Sequence, residues 1–148
     1  HANNVIDVLG RFLNMGVEPY QFVSALNCVL AQRLVRIICA HCTRPVKVAR
    51  ALLEESAMDP ALADTHIFYE GGGCIDCGGT GFKGRMAICE LLDLTDSIRE
   101  MILGRRPSSE IKKMAHDEGM RFLRESAVEK VLQGATTLRE INKVTFVE

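Results

Sequence analysis

Tryptophan is absent from this 148-residue chain and only 5% of its residues are aromatic, so there is neither a large aromatic core nor a platform for stacking single-stranded nucleic acid. An excess of charge is missing too. Eighteen Lys and Arg against 19 Asp and Glu leave a formal net charge of -1, which removes the field that draws a protein to nucleic acid or to an anionic membrane surface. The most apolar stretch, Phe22 to Ile38, is interrupted by Ser24, Asn27, Gln32, Arg33 and Arg36, so neither an export signal nor a transmembrane helix is expected. The phosphate-cradling signature G-x-x-x-x-G-K-[ST] does not occur, and Gly71-Gly72-Gly73 is followed by no Lys-Ser or Lys-Thr. No Ser/His/Asp or paired-carboxylate arrangement stands out. By itself the chain is expected not to hydrolyse nucleotide.

What is present is an ordinary globular composition, 47% hydrophobic and 25% charged. A chain of this size buries roughly 68–70% of its unfolded surface, and an aliphatic core of modest size gains from an additional staple. Six cysteines supply one, and four of them form two C-x-x-C pairs, Cys39-Ala-His-Cys42 and Cys74-Ile-Asp-Cys77, separated by residues 43–73. A two-residue spacer lets both sulfurs of a pair turn toward one point, and two such knuckles supply the tetrahedron of thiolates that zinc prefers. Four protein thiolates leave no open position for water, so the expected role is structural. Binding energy of about 10–16 kcal/mol for such sites far exceeds the roughly 3 kcal/mol of entropy lost in closing the loop. A redox dithiol, a disulfide pair and unliganded thiols are the alternatives. His41 is read as a solvent-facing neighbour of the site, and Cys28 and Cys89 as small buried hydrophobes. His66 and His116 are expected at the surface. Free thiols imply a reducing cytoplasm, and a sequence opening at His1 instead of Met is expected to be a fragment.

Helical spacing of Val5, Ile6, Leu9, Phe12 and Leu13 predicts an amphipathic helix from Asn4 that ends at Gly16. A second is predicted after Pro19 and up to Gln32, on the stripe Phe22, Ala25, Leu26, Val29 and Leu30. Strands are expected over residues 33–38 and 85–91, one entering the cysteine region and one leaving it. If they pair antiparallel, the metal pins the base of an excursion from a hairpin. Inside it lie a helical piece over 48–56, a turn at Asp59-Pro60 and a short strand over 65–70. Four short helices follow, over 97–103, 108–118, 121–133 and 138–144, and are expected to pack as one small bundle. Thr137 and Glu140 match a capping box for the last of them.

In order, the sequence carries His1-Ala2-Asn3, Met15-Gly16-Val17-Glu18-Pro19, Leu30-Ala31-Gln32-Arg33-Leu34-Val35-Arg36, the two knuckles, Gly81-Phe82-Lys83-Gly84-Arg85 with Glu90-Leu91-Leu92, and Gly134-Ala135-Thr136-Thr137 with Glu140. This series resembles the C-terminal part of the secretion ATPases that power type II secretion and type IV pilus assembly. It departs from their pattern at Ala2, where the first box has threonine, and at Cys89, often aromatic there. The resemblance implies an α/β chain: the end of a RecA-like motor domain over 1–37, an inserted tetracysteine zinc subdomain over 38–84, a returning core strand over 85–94, and a C-terminal helical bundle over 95–148. It implies a hexameric cytoplasmic ATPase docked on an inner-membrane platform protein, with Walker motifs, ATP and Mg2+ handled upstream of His1. It makes His1 a nucleotide sensor. Against it stands a self-contained zinc-binding adaptor or chaperone-like module, to which Cys74–Gly81 points by fitting the C-x-x-C-x-G-x-G zinc repeat of DnaJ-like chaperones.

Overall fold

In a computed structural model the described residues are 2–147, and they form eight helices and four strands. His1 lies outside them. The chain divides into two compact units, one formed by residues up to Gln32 with Cys89–Leu123 and the other by Arg33–Ile88 with the residues from Arg124 onward. Strands β1 (Cys28–Ile38) and β4 (Phe82–Asp93) pair with one another and run through both. Leu94 N donates to Asn27 O at one end and Cys39 N to Gly81 O at the other, each at 2.9 Å, so the pair is antiparallel.

The first unit packs α1 (Val5–Asn14), α2 (Pro19–Ala25), α5 (Asp96–Leu103) and α6 (Ser108–Asp117) around Val5, Leu9, Phe22, Leu92, Ile98 and Ile111. Asn4 caps α1 through the Asp7 amide at 2.8 Å, and Thr95 caps α5 through that of Ile98 at 3.3 Å. The second helix stops at Ala25, well short of Gln32. Leu26 is already extended, and the Arg99 guanidinium ties off the carbonyls of Val23 and Leu26 at the end of α2. From Cys28 burial alternates with period two, which puts Leu30, 58% exposed, on the outer face of a strand. The apolar stripe drawn through Leu30 therefore had the wrong period, and Cys28 is exposed, not buried.

Buried in this unit is Glu90, 3% exposed on β4. One carboxylate oxygen accepts the amide of Val5, first residue of α1, at 2.7 Å, and the other accepts that of Leu123, first residue of α7 (Leu123–Leu132), at 2.8 Å. A single side chain thus ties off two helix starts, where unpaired amides and helix dipoles both favour negative charge.

In the second unit β2 (Thr43–Val46) pairs antiparallel with β3 (Phe68–Gly71), register Thr43 to Gly71 and Val46 to Phe68, with α3 (Arg50–Glu55) and α4 (Leu62–Thr65) between them. α8 (Leu138–Val144) completes it, so the four C-terminal helices are divided, α5 and α6 in the first unit and α8 with nearly all of α7 in the second. Thr137 caps α8 as expected, its hydroxyl 3.3 Å from the Glu140 amide, but the Glu140 carboxylate does not reach back. It takes the Arg36 guanidinium at 2.6 and 2.9 Å and Lys143 at 2.7 Å. Arg36 also lies over the Phe82 ring at 4.2 Å, Thr136 Oγ1 donates to the Arg36 carbonyl at 2.8 Å, and Ile38 N donates to Ala135 O at 2.9 Å. Three of the sequence blocks singled out above, around Arg36, Phe82 and Glu140, meet at this one point.

The Arg36 hydrogen bonds, aided by Lys143, outweigh burial and hold the Glu140 carboxyl down to about 2 from an ordinary 4.5. A carboxyl depressed by folding stabilises the fold above its unfolded value and loses that contribution as pH falls through its folded one. At about 1.4 kcal/mol per tenfold in proton affinity, trimmed for the half-exposed guanidinium, the contribution is about 2 kcal/mol. The stability gap between the chain and Glu140→Gln should therefore be full at pH 6 and close between pH 4.5 and 2, measured by denaturant titration.

Candidate metal centre

Each knuckle is delivered by a strand end. β1 runs directly into Cys39, Cys42 immediately precedes β2, β3 leads through Gly71-Gly72-Gly73 to Cys74, and Cys77 precedes β4 by four residues. The amide of Gly72 donates to Cys42 O at 2.9 Å and that of Gly79 to Cys74 O at 2.8 Å, which locks the two loops. The glycines are required by close approach of backbones. A Cβ on Gly71 would lie 2.0 Å from Gly81 O, and one on Gly73, at φ +90°, would lie 2.8 Å from Gly79 O. Gly81, at φ +76°, faces Gly71 in return, with 2.5 Å between its own hypothetical Cβ and Gly71 O. Gly81→Ala should therefore cost about 3 kcal/mol in strain and displaced backbone, read as a lower thermal midpoint and weaker metal retention.

The four sulfurs of Cys39, Cys42, Cys74 and Cys77 lie within 4.8 Å of one another. Cys39 to Cys74 and Cys42 to Cys77 are 3.8 Å apart, and Cys74 to Cys77 is 3.7 Å. Zinc bonded to four sulfurs at about 2.3 Å sets them about 3.8 Å apart at the corners of a tetrahedron, which these spacings match. A disulfide needs about 2.05 Å, and all six cysteines are free. Cys77 Sγ accepts the amides of Cys74 and Gly81, both at 3.2 Å. Against burial, which raises it, these donors bring the Cys77 thiol down to about 6, whereas burial pushes the Cys42 thiol up to about 12.

His41 is 72% exposed, as expected of a neighbour that is not a ligand, and its Nε2 lies 3.6 Å from Asp76 Oδ2. Asp76 also takes Lys83, which holds its carboxyl below the usual range. Cys89 is half-buried and stands apart from the cluster. His116 is exposed, but His66 is half-buried, its Nε2 3.0 Å from Leu132 O and its ring edge-on to Phe68. Sequence reasoning missed Arg124, which fastens the segment after α3 to α8 by donating to Ser56 O at 2.7 Å, Asn142 Oδ1 at 2.8 Å and Thr145 Oγ1 at 3.0 Å. Nothing in its surroundings in sequence signals that role.

The profile of a family described as "Type II/IV secretion system protein" matches residues 1–143. The chain belongs to that family. Among its relatives, a type IV pilus assembly ATPase PilB from Thermus thermophilus is 44% identical over 141 residues, covering 95% of this chain and 16% of the relative. PilB from Acinetobacter baylyi is 40% identical over 147 residues, 98% of the chain and 25% of the relative. Type II secretion system protein E from Dickeya dadantii is 36% identical over 145 residues, 98% and 28%. This family member therefore spans between 16% and 28% of the length of these relatives. No helix among its described residues is long and apolar enough to cross a membrane.

Proposed function

We propose that this chain is the C-terminal part of a hexameric cytoplasmic ATPase that drives type II protein secretion or type IV pilus assembly, and that it carries a structural zinc site. The observation that carries this reading is the likeness to PilB and protein E over nearly the whole chain, confined to between 16% and 28% of those relatives' length. Residues 1–37 finish a RecA-like core, 38–84 form the zinc subdomain, 85–94 return to the core, and 95–148 make the helical part that caps the motor. Apolar side chains on the outer face of the β1–β4 ribbon, Leu30 at 58% and Leu91 at 51% exposed, support the packing of a further layer of the full-length protein against that face. The full-length protein binds ATP together with Mg2+ and hydrolyses the ATP, with His1 as a sensor at the nucleotide. Partners are the other subunits of the hexamer and an inner-membrane platform protein, and nucleic acid is not among them.

Bound zinc supplies a closed thiolate cross-link and no open coordination site. Cys39 and Cys42 hold it from the strand entering the lobe, Cys74 and Cys77 from the loop before the strand leaving it. The amides of Cys74 and Gly81 stabilise the Cys77 thiolate, and Arg36, Glu140 and Arg124 fasten the lobe to α8. A lobe fixed at both ends is stiff enough to pass a domain movement to a docked partner. The test is magnesium-dependent ATP hydrolysis by the full-length gene product beside the 148-residue chain. Activity in the former alone is the expected result, and hydrolysis by the short chain, or none by the long one, overturns the reading.

A further inference from the structure

Outside the four sulfurs, charge converges on one residue of the second knuckle. Asp76 Oδ1 is 2.5 Å from Lys83 Nζ, and Asp76 Oδ2 is 3.6 Å from His41 Nε2 and 3.9 Å from Cys39 Sγ. A divalent ion held by four thiolates carries a formal charge of −2, and a carboxylate against one of those sulfurs adds repulsion to the donor that binds the metal. Lys83 is the second residue of β4, six positions past Cys77. The other nearby cation, Arg44, is engaged with Glu70 at 2.8 Å and lies over Gly72. We infer that Lys83 is a positioning residue of the metal centre: by pairing with Asp76 it cancels the carboxylate beside Cys39 and thereby slows loss of the metal.

An exposed ion pair contributes little to folding, but partners outside the ligand shell change metal affinity 10–100-fold. The inference rests on the zinc reading, and the experiment separates the two. Zinc-loaded full chain is mixed with excess chromophoric chelator and the rate of zinc transfer is followed for the parent sequence, Lys83→Gln, Lys83→Arg, Asp76→Asn, Lys83→Gln with Asp76→Asn, and Arg44→Gln. Lys83→Gln should release zinc about tenfold faster, a factor that shrinks below about threefold in 1 M salt because charge is screened there. Lys83→Arg and the double variant should return to within about threefold of the parent, and Arg44→Gln should match it. Asp76→Asn alone should release zinc no faster than the parent, which keeps the test decisive if Lys83→Gln does not fold. Failure of the parent chain to take up zinc overturns the metal reading itself. Parent-like release from Lys83→Gln, faster release from Asp76→Asn, or a double variant as fast as Lys83→Gln overturns the role of Lys83.

Discussion

Cys42→Ser should abolish stoichiometric zinc uptake and release β2, β3 and the helices between them from their folded state while leaving the first unit intact. Three thiolates and a hydroxyl form a poorer site, and the sulfurs of Cys39, Cys74 and Cys77 then sit within 4.8 Å of one another without the ion that makes the approach favourable. Apparent binding energies of about 10–16 kcal/mol match or exceed the whole stability of a small domain, so the loss is larger than the four-residue strand pair, the buried side chains of Leu53 and Phe68 and the Arg124 hydrogen bonds to Ser56, Asn142 and Thr145 can offset. The first unit has its own core around Leu9, Phe22 and Ile98. Metal analysis together with amide hydrogen exchange checks both halves: protection of residues 43–71 should collapse and that of Leu9 and Ile98 persist. Native protection across 43–71 in the metal-free variant would sink the structural role given to zinc.

The four-cysteine cluster was legible because its chemistry is local. A C-x-x-C turn specifies its own geometry, and two of them need only be brought together, which the antiparallel β1 and β4 do. Helix starts with short polar caps, Asn4, Thr95 and Thr137, were readable or nearly so for the same reason. The end of α2 was not. Val29 and Leu30 fit a helical stripe as well as a strand, and the decision is made by Arg99, more than 70 residues away, which takes the last carbonyls of that helix. β2 escaped notice because its four residues include Pro45 and two polar side chains, and it exists through its register with β3. Glu140 shows the limit most clearly. Its spacing from Thr137 satisfies the capping-box pattern, yet Arg36, 104 positions away, takes the carboxylate. Local patterns say what a side chain can do, and a distant charge decides which option it takes.

Glu90 is the strongest case of that kind, and Glu90→Ala should be the most damaging substitution in the first unit. Nothing around it in sequence marks it as a cap, since it sits in the middle of a strand and reaches the starts of two helices at Val5 and Leu123. Hydrogen bonds to a charged group contribute about 1.5–3 kcal/mol each, and truncation leaves both amides without an acceptor at a buried position. The expected loss is about 4 kcal/mol by denaturant titration, with faster hydrogen exchange at Val5 and Leu123 together. Glu90→Gln keeps the shape and one acceptor but turns an amide donor toward the second N–H, so it should lose about half as much and free one helix start only. If the carboxylate merely fills space, Glu90→Gln would be as stable as the parent. If it caps both helices, the two substitutions must rank in that order and the two amides must respond as a pair to alanine and singly to glutamine.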